Sequence, residues 1–213
     1  MIINFDSVVP HPIRDIYSSE SDIWNNNIVF EQGKFYQISA ASGVGKTTFL
    51  NLIYGSRKDY DGSVFINQKN LNNLSFTDWS KLRTRSVSMV FQGLFLFDNL
   101  TVFQNIMLKN RLTNHKTEDQ IMDMINQLGI GELKDKIVAK ISFGQKQRVA
   151  IVRALCQPYQ VILLDEPFSH LDTSSAQIAL QLIIESSMEN HATILLTSLS
   201  ETLVSDNFSL IKL

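Results

Sequence analysis

An α/β fold, with a parallel core sheet and a helical segment inserted into it, is what the sequence predicts. Three observations carry that reading. Short β-rich runs alternate with longer segments of helical period. In the last third, two apolar runs, 161–164 and 193–197, flank one long periodic segment. Between Gln92 and Pro158 the strand-like runs disappear and only helical spacing remains.

Taken in order, the first ten residues carry Asp6 and lack a basic stretch followed by a long apolar run, so no signal peptide is read and the mature chain is expected to begin at Met1. Residues 35–39 form a strand that leads into a Gly-containing loop, and 47–54 has helical spacing. Residues 64–66 and 86–90 follow as strands. Helices are expected over 102–109, 117–128 and 144–155. The chain then divides as one domain, with a core of 1–92 and 157–213 and a helical subdomain of 93–156. The segment 174–190 is a helix with Ile178, Leu182, Ile183 and Met188 placed on or near one face, and 208–212 closes as a strand. Asn25–Asn27 and Asn72–Asn73 read as turns. No apolar run approaches the roughly 20 residues that cross a bilayer.

Composition narrows the function. The chain has 213 residues, is 44% hydrophobic, and contains thirteen Phe, enough for a real core and too apolar for disorder. Its net charge of −2 builds no broad basic field, so nucleic acid is not an expected partner and any phosphate binding must be local. The single cysteine, Cys156, cannot form an internal disulfide and reads as a small buried hydrophobe.

The segment Ala40-Ala41-Ser42-Gly43-Val44-Gly45-Lys46-Thr47-Thr48 follows a strand and opens a helix. That context lets its backbone N–H groups form an anion nest at a positive helix end. Lys46 then reaches the β- and γ-phosphates and the Thr47 hydroxyl ligates Mg²⁺. Ala40 stands where the pattern has its first Gly; a positive φ there would cost about 1 kcal/mol and weaken nucleotide binding. The bland alternative is a Gly-rich turn with an incidental Lys. Further on, Val161-Ile162-Leu163-Leu164-Asp165-Glu166 is an apolar strand ending in two carboxylates, placed to hold Mg²⁺ (Asp165) and to polarise an attacking water (Glu166).

Upstream stands Ile141-Ser142-Phe143-Gly144-Gln145-Lys146-Gln147-Arg148-Val149-Ala150, and with it the whole set, in this order, resembles the ATP-binding cassette (ABC) ATPases over nearly the entire chain. The resemblance implies a P-loop NTPase with a RecA-like core sheet, an N-terminal antiparallel β portion and an inserted helical subdomain. It also implies MgATP held between two cassettes in a head-to-tail dimer, a homodimer or a paired cassette. Ser142, Phe143, Gly144 and Gln145 match the signature motif that contacts the opposing subunit's nucleotide, and Asp172 belongs to the D-loop crossing that interface. Phe143 replaces a common glycine, so its side chain must point away from the phosphate. Gln92 matches the Q-loop glutamine that touches Mg²⁺ and links core to insertion. For Gln147, Arg148 and Arg153 the plain reading is a solvated helix face.

Besides Ala40 and Phe143, two further places depart from the family pattern. Ser198 stands where a switch histidine orients the catalytic water, and a hydroxyl is shorter than an imidazole and carries no charge. With Glu166 retained, slow hydrolysis is expected. The base-stacking aromatic is not evident: Pro12 lies near its expected place, with His11, Tyr17 and Trp24 as substitutes. The runs before and after Gln92 look like the short cassettes of lipoprotein-release and macrolide-export systems, and Phe95 and Phe97 there fit either an exposed face or the core of the insertion. The resemblance therefore implies the ATP-binding subunit of a transporter, peripheral on the inner face of the cell membrane through a separately encoded permease. A non-hydrolysing nucleotide sensor or cytosolic assembly module is the alternative.

Overall fold

The computed structural model describes residues 1–18, 20–41, 43–198 and 207–213. Among them, two sheets carry the fold. Strands β1 (Ile3–Pro10), β2 (Asn27–Phe30), β4 (Tyr60–Ile66) and β5 (Lys69–Asn70) form an antiparallel sheet in the order β2-β1-β4-β5. Strands β3 (Phe35–Ser39), β6 (Val87–Val90), β7 (Val161–Asp165), β8 (Thr193–Ser198) and β9 (Phe208–Lys212) are all parallel, in the order β6-β7-β8-β3-β9. Helices α1 (Lys46–Tyr54) and α2 (Phe76–Arg85) belong to the first half of the chain. They are followed by α3 (Val102–Asn110), α4 (Glu118–Gln127), α5 (Phe143–Leu155) and α6 (Thr173–Glu189).

The parallel sheet is apolar on both faces, which is why its strands read as unbroken apolar runs. Period-two alternation sorts their side chains between two cores. Val161, Leu163 and Leu195 join α1 and the antiparallel sheet on one side. Ile162, Leu164, Ile194 and Leu196 join residues of α3 to α6 on the other. The first core is dense in rings: Phe5, Trp24, Phe30 and Phe49 meet with centroids 5.2 to 6.4 Å apart. Burying one such side chain stabilises the fold by about 1.5–3 kcal/mol. In the antiparallel sheet, β1 shifts register between Asp6 and Val9 and Ser7 takes φ 51°. Gly62 lies opposite with φ 82°, where a Cβ would stand 2.3 Å from the Ser7 carbonyl oxygen, so the bulge requires glycine.

Two expectations are corrected and one open alternative is decided. On α6, Ile178 and Met188 are 47% and 63% exposed, whereas Ala176, Ala179, Ile183 and Ser187 are buried. At about 100° per residue, Ile178 and Met188 each lie about 140° from Ile183, so they cannot share its face. Gln147, Arg148 and Arg153 are not a solvated face of α5. Gln147 is 2% exposed, Arg148 donates to the Leu128 carbonyl at 2.9 Å, and Arg153 donates to the carbonyls of Leu94 (2.5 Å) and Phe95 (2.7 Å). Phe95 and Phe97 lie outside the core, at 67% and 56% exposure. Leu94 and Phe95 both have positive φ, and the two Arg153 bonds pin that strained bend. Cys156 is buried, as expected of a small hydrophobe. Among the described residues, no helix is long and apolar enough to cross a membrane.

Candidate nucleotide site

Strand register brings the chemistry to one edge. Ser39 pairs with Ser198, Asp165 with Thr197 and Val90 with Leu164, so β3, β6, β7 and β8 all end together. In open α/β sheets that carboxyl edge is where ligands bind. The loop after β3 turns through Gly43 (φ 85°) and Gly45 (φ 109°), both in backbone territory that side chains avoid. Ala40 is not among the positive-φ residues, so the strain expected there does not arise, and its side chain packs on the ring-rich core. Ser42 lies outside the described residues. Behind the loop, a Cβ on Gly45 would meet Ile13 Cδ1 at 3.0 Å and Trp24 at 3.4 Å. On Gly43 a Cβ would meet nothing within 4 Å, leaving an open cradle.

Helices α2 to α6 each have an N-terminus capped by a side chain: Ser75, Thr101, Thr117, Ser142 and Asp172. Helix α1 has none, and Gly45 is its N-cap. Its leading N–H groups and its positive end face the loop, an arrangement suited to phosphate. Lys46, 6% exposed, donates to the carbonyls of Ala40 (2.9 Å) and Ala41 (3.1 Å) and stands 3.5 Å from Glu166 Oε1. Gln92 Nε2 donates to Glu166 Oε2 at 3.4 Å. Lys46, Gln92 and Glu166 are thus one constellation joining the first phosphate loop, the end of β6 and the end of β7.

Asp165 is 2% exposed, and burial raises its pKa. Hydrogen bonds from Thr47 and Thr197 and the charge of Lys46 oppose that rise, while the neighbouring Glu166 adds to it. Thr197 Oγ1 lies 2.9 Å from Asp165 Oδ1. The pairing of the Thr47 hydroxyl with the Asp165 carboxylate is the donor set a magnesium ion needs: hard oxygens, one of them anionic and poorly solvated. Gln92, through Glu166, borders the same place. The residues fit Mg²⁺ as the sequence implies, although among the described residues no group of three His, Cys, Asp or Glu forms a dedicated metal cage.

Glu166 has φ 47°, an uncommon conformation for a side-chain-bearing residue, and it sits at the carboxyl edge of the parallel sheet. Its N–H donates to Thr197 (carbonyl oxygen at 3.2 Å, Oγ1 at 3.3 Å) and its carbonyl accepts from Gln147 Nε2 at 3.2 Å. Sequence reasoning missed both Thr197 and Gln147. Thr197 was legible only as the residue before Ser198, and Gln147 carries no local signal beyond a polar residue within a helix.

Among the described residues, no side-chain hydrogen bond or ion pair joins Ser142, Gln145 or Asp172 to Lys46, Gln92 or Glu166, and Gly144 lies against the His170 backbone. Ser142 and Gln145 form a capping box: Ser142 Oγ accepts from the Gln145 N–H at 3.3 Å and Gln145 Oε1 accepts from the Ser142 N–H at 2.9 Å. Among the described residues the Ser142 hydroxyl donates to no side chain or carbonyl. Asp172 caps α6 by accepting from the Ser175 N–H at 2.9 Å. Phe143 is 47% exposed with its ring edge-on to His170, centroids 4.4 Å apart. Among the base-stacking candidates, Trp24 is 1% exposed and belongs to the core, so it is withdrawn. His11 and Pro12 lie in the 3-10 turn His11–Ile13, whose Ile13 abuts the loop at Gly45; Tyr17 packs partly against the core.

The comparisons agree with this geometry. The ABC transporter family profile matches residues 24–169. The methionine import ATP-binding protein MetN of Haemophilus ducreyi is 37% identical over 175 residues, 81% of this chain and 51% of its own length. The bacitracin export ATP-binding protein BceA of Halalkalibacterium halodurans is 34% identical over 81% of this chain and 69% of its length. The chain therefore spans about half the length of a relative such as MetN. A dimeric structure of the bacterial ABC transporter cassette MJ0796 superposes with a TM-score of 0.83 at 24% identity, covering 100% of this chain and 94% of that one. That likeness establishes the fold of a P-loop cassette, and with the profile and the relatives it places the chain in the ABC transporter family.

Proposed function

We propose that the chain is the ATP-binding subunit of a transporter, binding MgATP at the interface of a head-to-tail pair of cassettes and hydrolysing it to drive a separate membrane subunit. The observation that carries this is the single edge where Lys46, Gln92 and Glu166 meet beside the uncapped helix α1. In this reading the N–H groups of 43–48 and the Lys46 ammonium hold the β- and γ-phosphates. Thr47, Gln92 and Asp165 hold Mg²⁺, which when bound neutralises charge on the phosphate oxygens. Glu166 takes a proton from the attacking water as its oxygen bonds to the γ-phosphorus and the bond to the β–γ bridging oxygen breaks.

The roles of Ser142, Phe143, Gly144, Gln145 and Asp172 toward an opposing cassette's nucleotide, and the division into a core of 1–92 and 157–213 with a helical unit of 93–156, are part of the same proposal. The turn carrying His11 and Pro12 is the platform for the base. The membrane partner meets the surface next to Gln92, where Phe95 and Phe97 are exposed on the bend pinned by Arg153. That contact would hold the chain at the inner face of the membrane.

Ser198 favours a second reading, a nucleotide-gated module that does not hydrolyse. One experiment separates the two: MgATP turnover of the wild type, Ser198→His and Glu166→Gln. The proposal expects slow wild-type turnover, a rise of 10²–10³-fold in Ser198→His, the size of one transition-state contact, and only a residual rate, about 10²-fold or more below wild type and read by single-turnover assay, in Glu166→Gln. Turnover in Ser198→His equal to the wild type refutes the limit placed on Ser198. Absence of turnover in both, with MgATP still bound, moves the chain to the second reading.

A further inference from the structure

Resting on Glu166 as the base, we infer that Gln147 is a positioning residue for hydrolysis, fastening Glu166 to the helix whose N-terminus is the proposed clamp for the opposing nucleotide. Gln147 lies in α5, is 2% exposed, and has its whole side-chain amide engaged. Nε2 donates to the Glu166 carbonyl and to Ser169 Oγ, both at 3.2 Å, and Oε1 accepts from the His170 N–H at 3.2 Å.

Glu166 needs such a fastening. With φ at 47°, it sits in a backbone conformation that costs a side-chain-bearing residue roughly 1–2 kcal/mol, so it persists only where neighbours over-determine it. Thr197 holds its N–H from strand β8, and Gln147 holds its carbonyl, together with the Ser169 N–H at 3.4 Å. The strand side of this grip comes from β8, an interior strand paired on both edges. The helix side comes from α5, whose N-cap Ser142 lies five residues before Gln147.

Two further contacts bind the same helix to the same loop. The Phe143 ring meets the His170 ring at 4.4 Å, and a Cβ on Gly144 would stand 2.8 Å from the His170 carbonyl oxygen, so the backbones are in direct contact there. A shift of the first turn of α5 therefore carries Gln147, His170 and the backbone of Glu166 with it. The proposed base takes its working orientation from whatever engages the N-terminus of α5.

The test uses the full chain with Gln147→Met, which keeps length and volume but removes every hydrogen bond, and Gln147→Glu, which keeps an acceptor for the His170 N–H and loses the donor. Glu166→Gln and the double variant Glu166→Gln with Gln147→Met complete the set. Single-turnover hydrolysis of radiolabelled MgATP, affinity for a fluorescent ATP analogue, and amide hydrogen exchange are measured. Both Gln147 variants should hydrolyse at least about tenfold more slowly with affinity within twofold of wild type. Exchange at 166 and 168–171 should rise about tenfold while that of α1 is unchanged, and Gln147→Met should cost nothing further once Glu166 is Gln. Wild-type hydrolysis in the variants, losses that add in full in the double variant, or unchanged exchange at 166–171 overturns the inference. Wild-type turnover in Glu166→Gln alone would refute the base assignment instead. The exchange measurement needs no turnover, so it decides the fastening in either case.

Discussion

Alanine at Gly43 and at Gly45 should separate the two demands made on the phosphate loop. Both positions have positive φ, 85° and 109°, so either alanine adds strain of about 1–2 kcal/mol. At Gly43 that is the whole structural cost, because the new Cβ meets nothing within 4 Å. At Gly45 the Cβ arrives 3.0 Å from Ile13 Cδ1 and 3.4 Å from Trp24, and a well-packed core resists such an insertion by roughly 1–3 kcal/mol more. For a chain of this size, each kcal/mol moves the melting temperature by about 2–4 °C. Gly43→Ala should therefore melt a few degrees below wild type, and Gly45→Ala about 4–20 °C below it. Affinity should reverse the order of importance: in the proposed site phosphate fills the open space at Gly43, so its alanine should weaken MgATP by about tenfold or more despite the smaller loss of stability. Melting without nucleotide and titration calorimetry with MgATP read the two quantities. MgATP affinity within twofold of wild type in Gly43→Ala would refute the placement of phosphate in this cradle.

Burial pushes the Cys156 thiol up to about 12, so a disulfide reagent at pH 8 should leave the folded chain unlabelled and react with one thiol per chain in denaturant. Labelling of the native chain at the unfolded rate would contradict its burial. Asp59 is held down to about 2 by the hydrogen bond from Arg57, with Nη2 2.6 Å from Oδ2. Because the folded value lies below the unfolded one, its stabilisation is complete above about pH 4 and is lost as pH falls toward 2. Both side chains are about a third or more exposed, at 33% and 44%, so the loss should stay under about 1 kcal/mol. Carboxyl-carbon NMR through that range checks the titration, and Asp59→Asn should flatten the same part of the stability curve.

Much of the fold was legible because it follows from period and context. The buried strands β3, β7 and β8 are short apolar runs, and α1 follows its loop within one residue of expectation. The loop, Lys46, Asp165 and Glu166 were found from spacing, and the structure joins them on one edge. What was not legible depends on distant partners. Whether Trp24 faces a base or a core is decided by Phe5 and Phe49 around it. Arg153 reads as a surface cation until the carbonyls of Leu94 and Phe95 are brought to it. Ile178 and Ile183 are equally apolar, and only the position of the sheet says which of them is buried. Gln147 is the extreme case, a polar residue whose partners lie 19 to 23 positions away.

The departures from the family pattern do not weigh equally. Ala40 replaces a glycine at a position that is not left-handed here, so its methyl meets no backbone penalty and gains packing against the core. Phe143 replaces a glycine with a bulky ring, yet the ring has a partner of its own in His170, on the loop that also carries Glu166. In both places the fold absorbs the change through contacts that the substituted side chain itself supplies. Ser198 is different, because what it lacks is reach and charge. Its backbone continues the β8 pairing with Ser39, so the strand is kept while an imidazole's chemistry is not. Any deficit in hydrolysis should therefore trace to Ser198 alone, and restoring histidine there should recover turnover without glycine at 40 or 143.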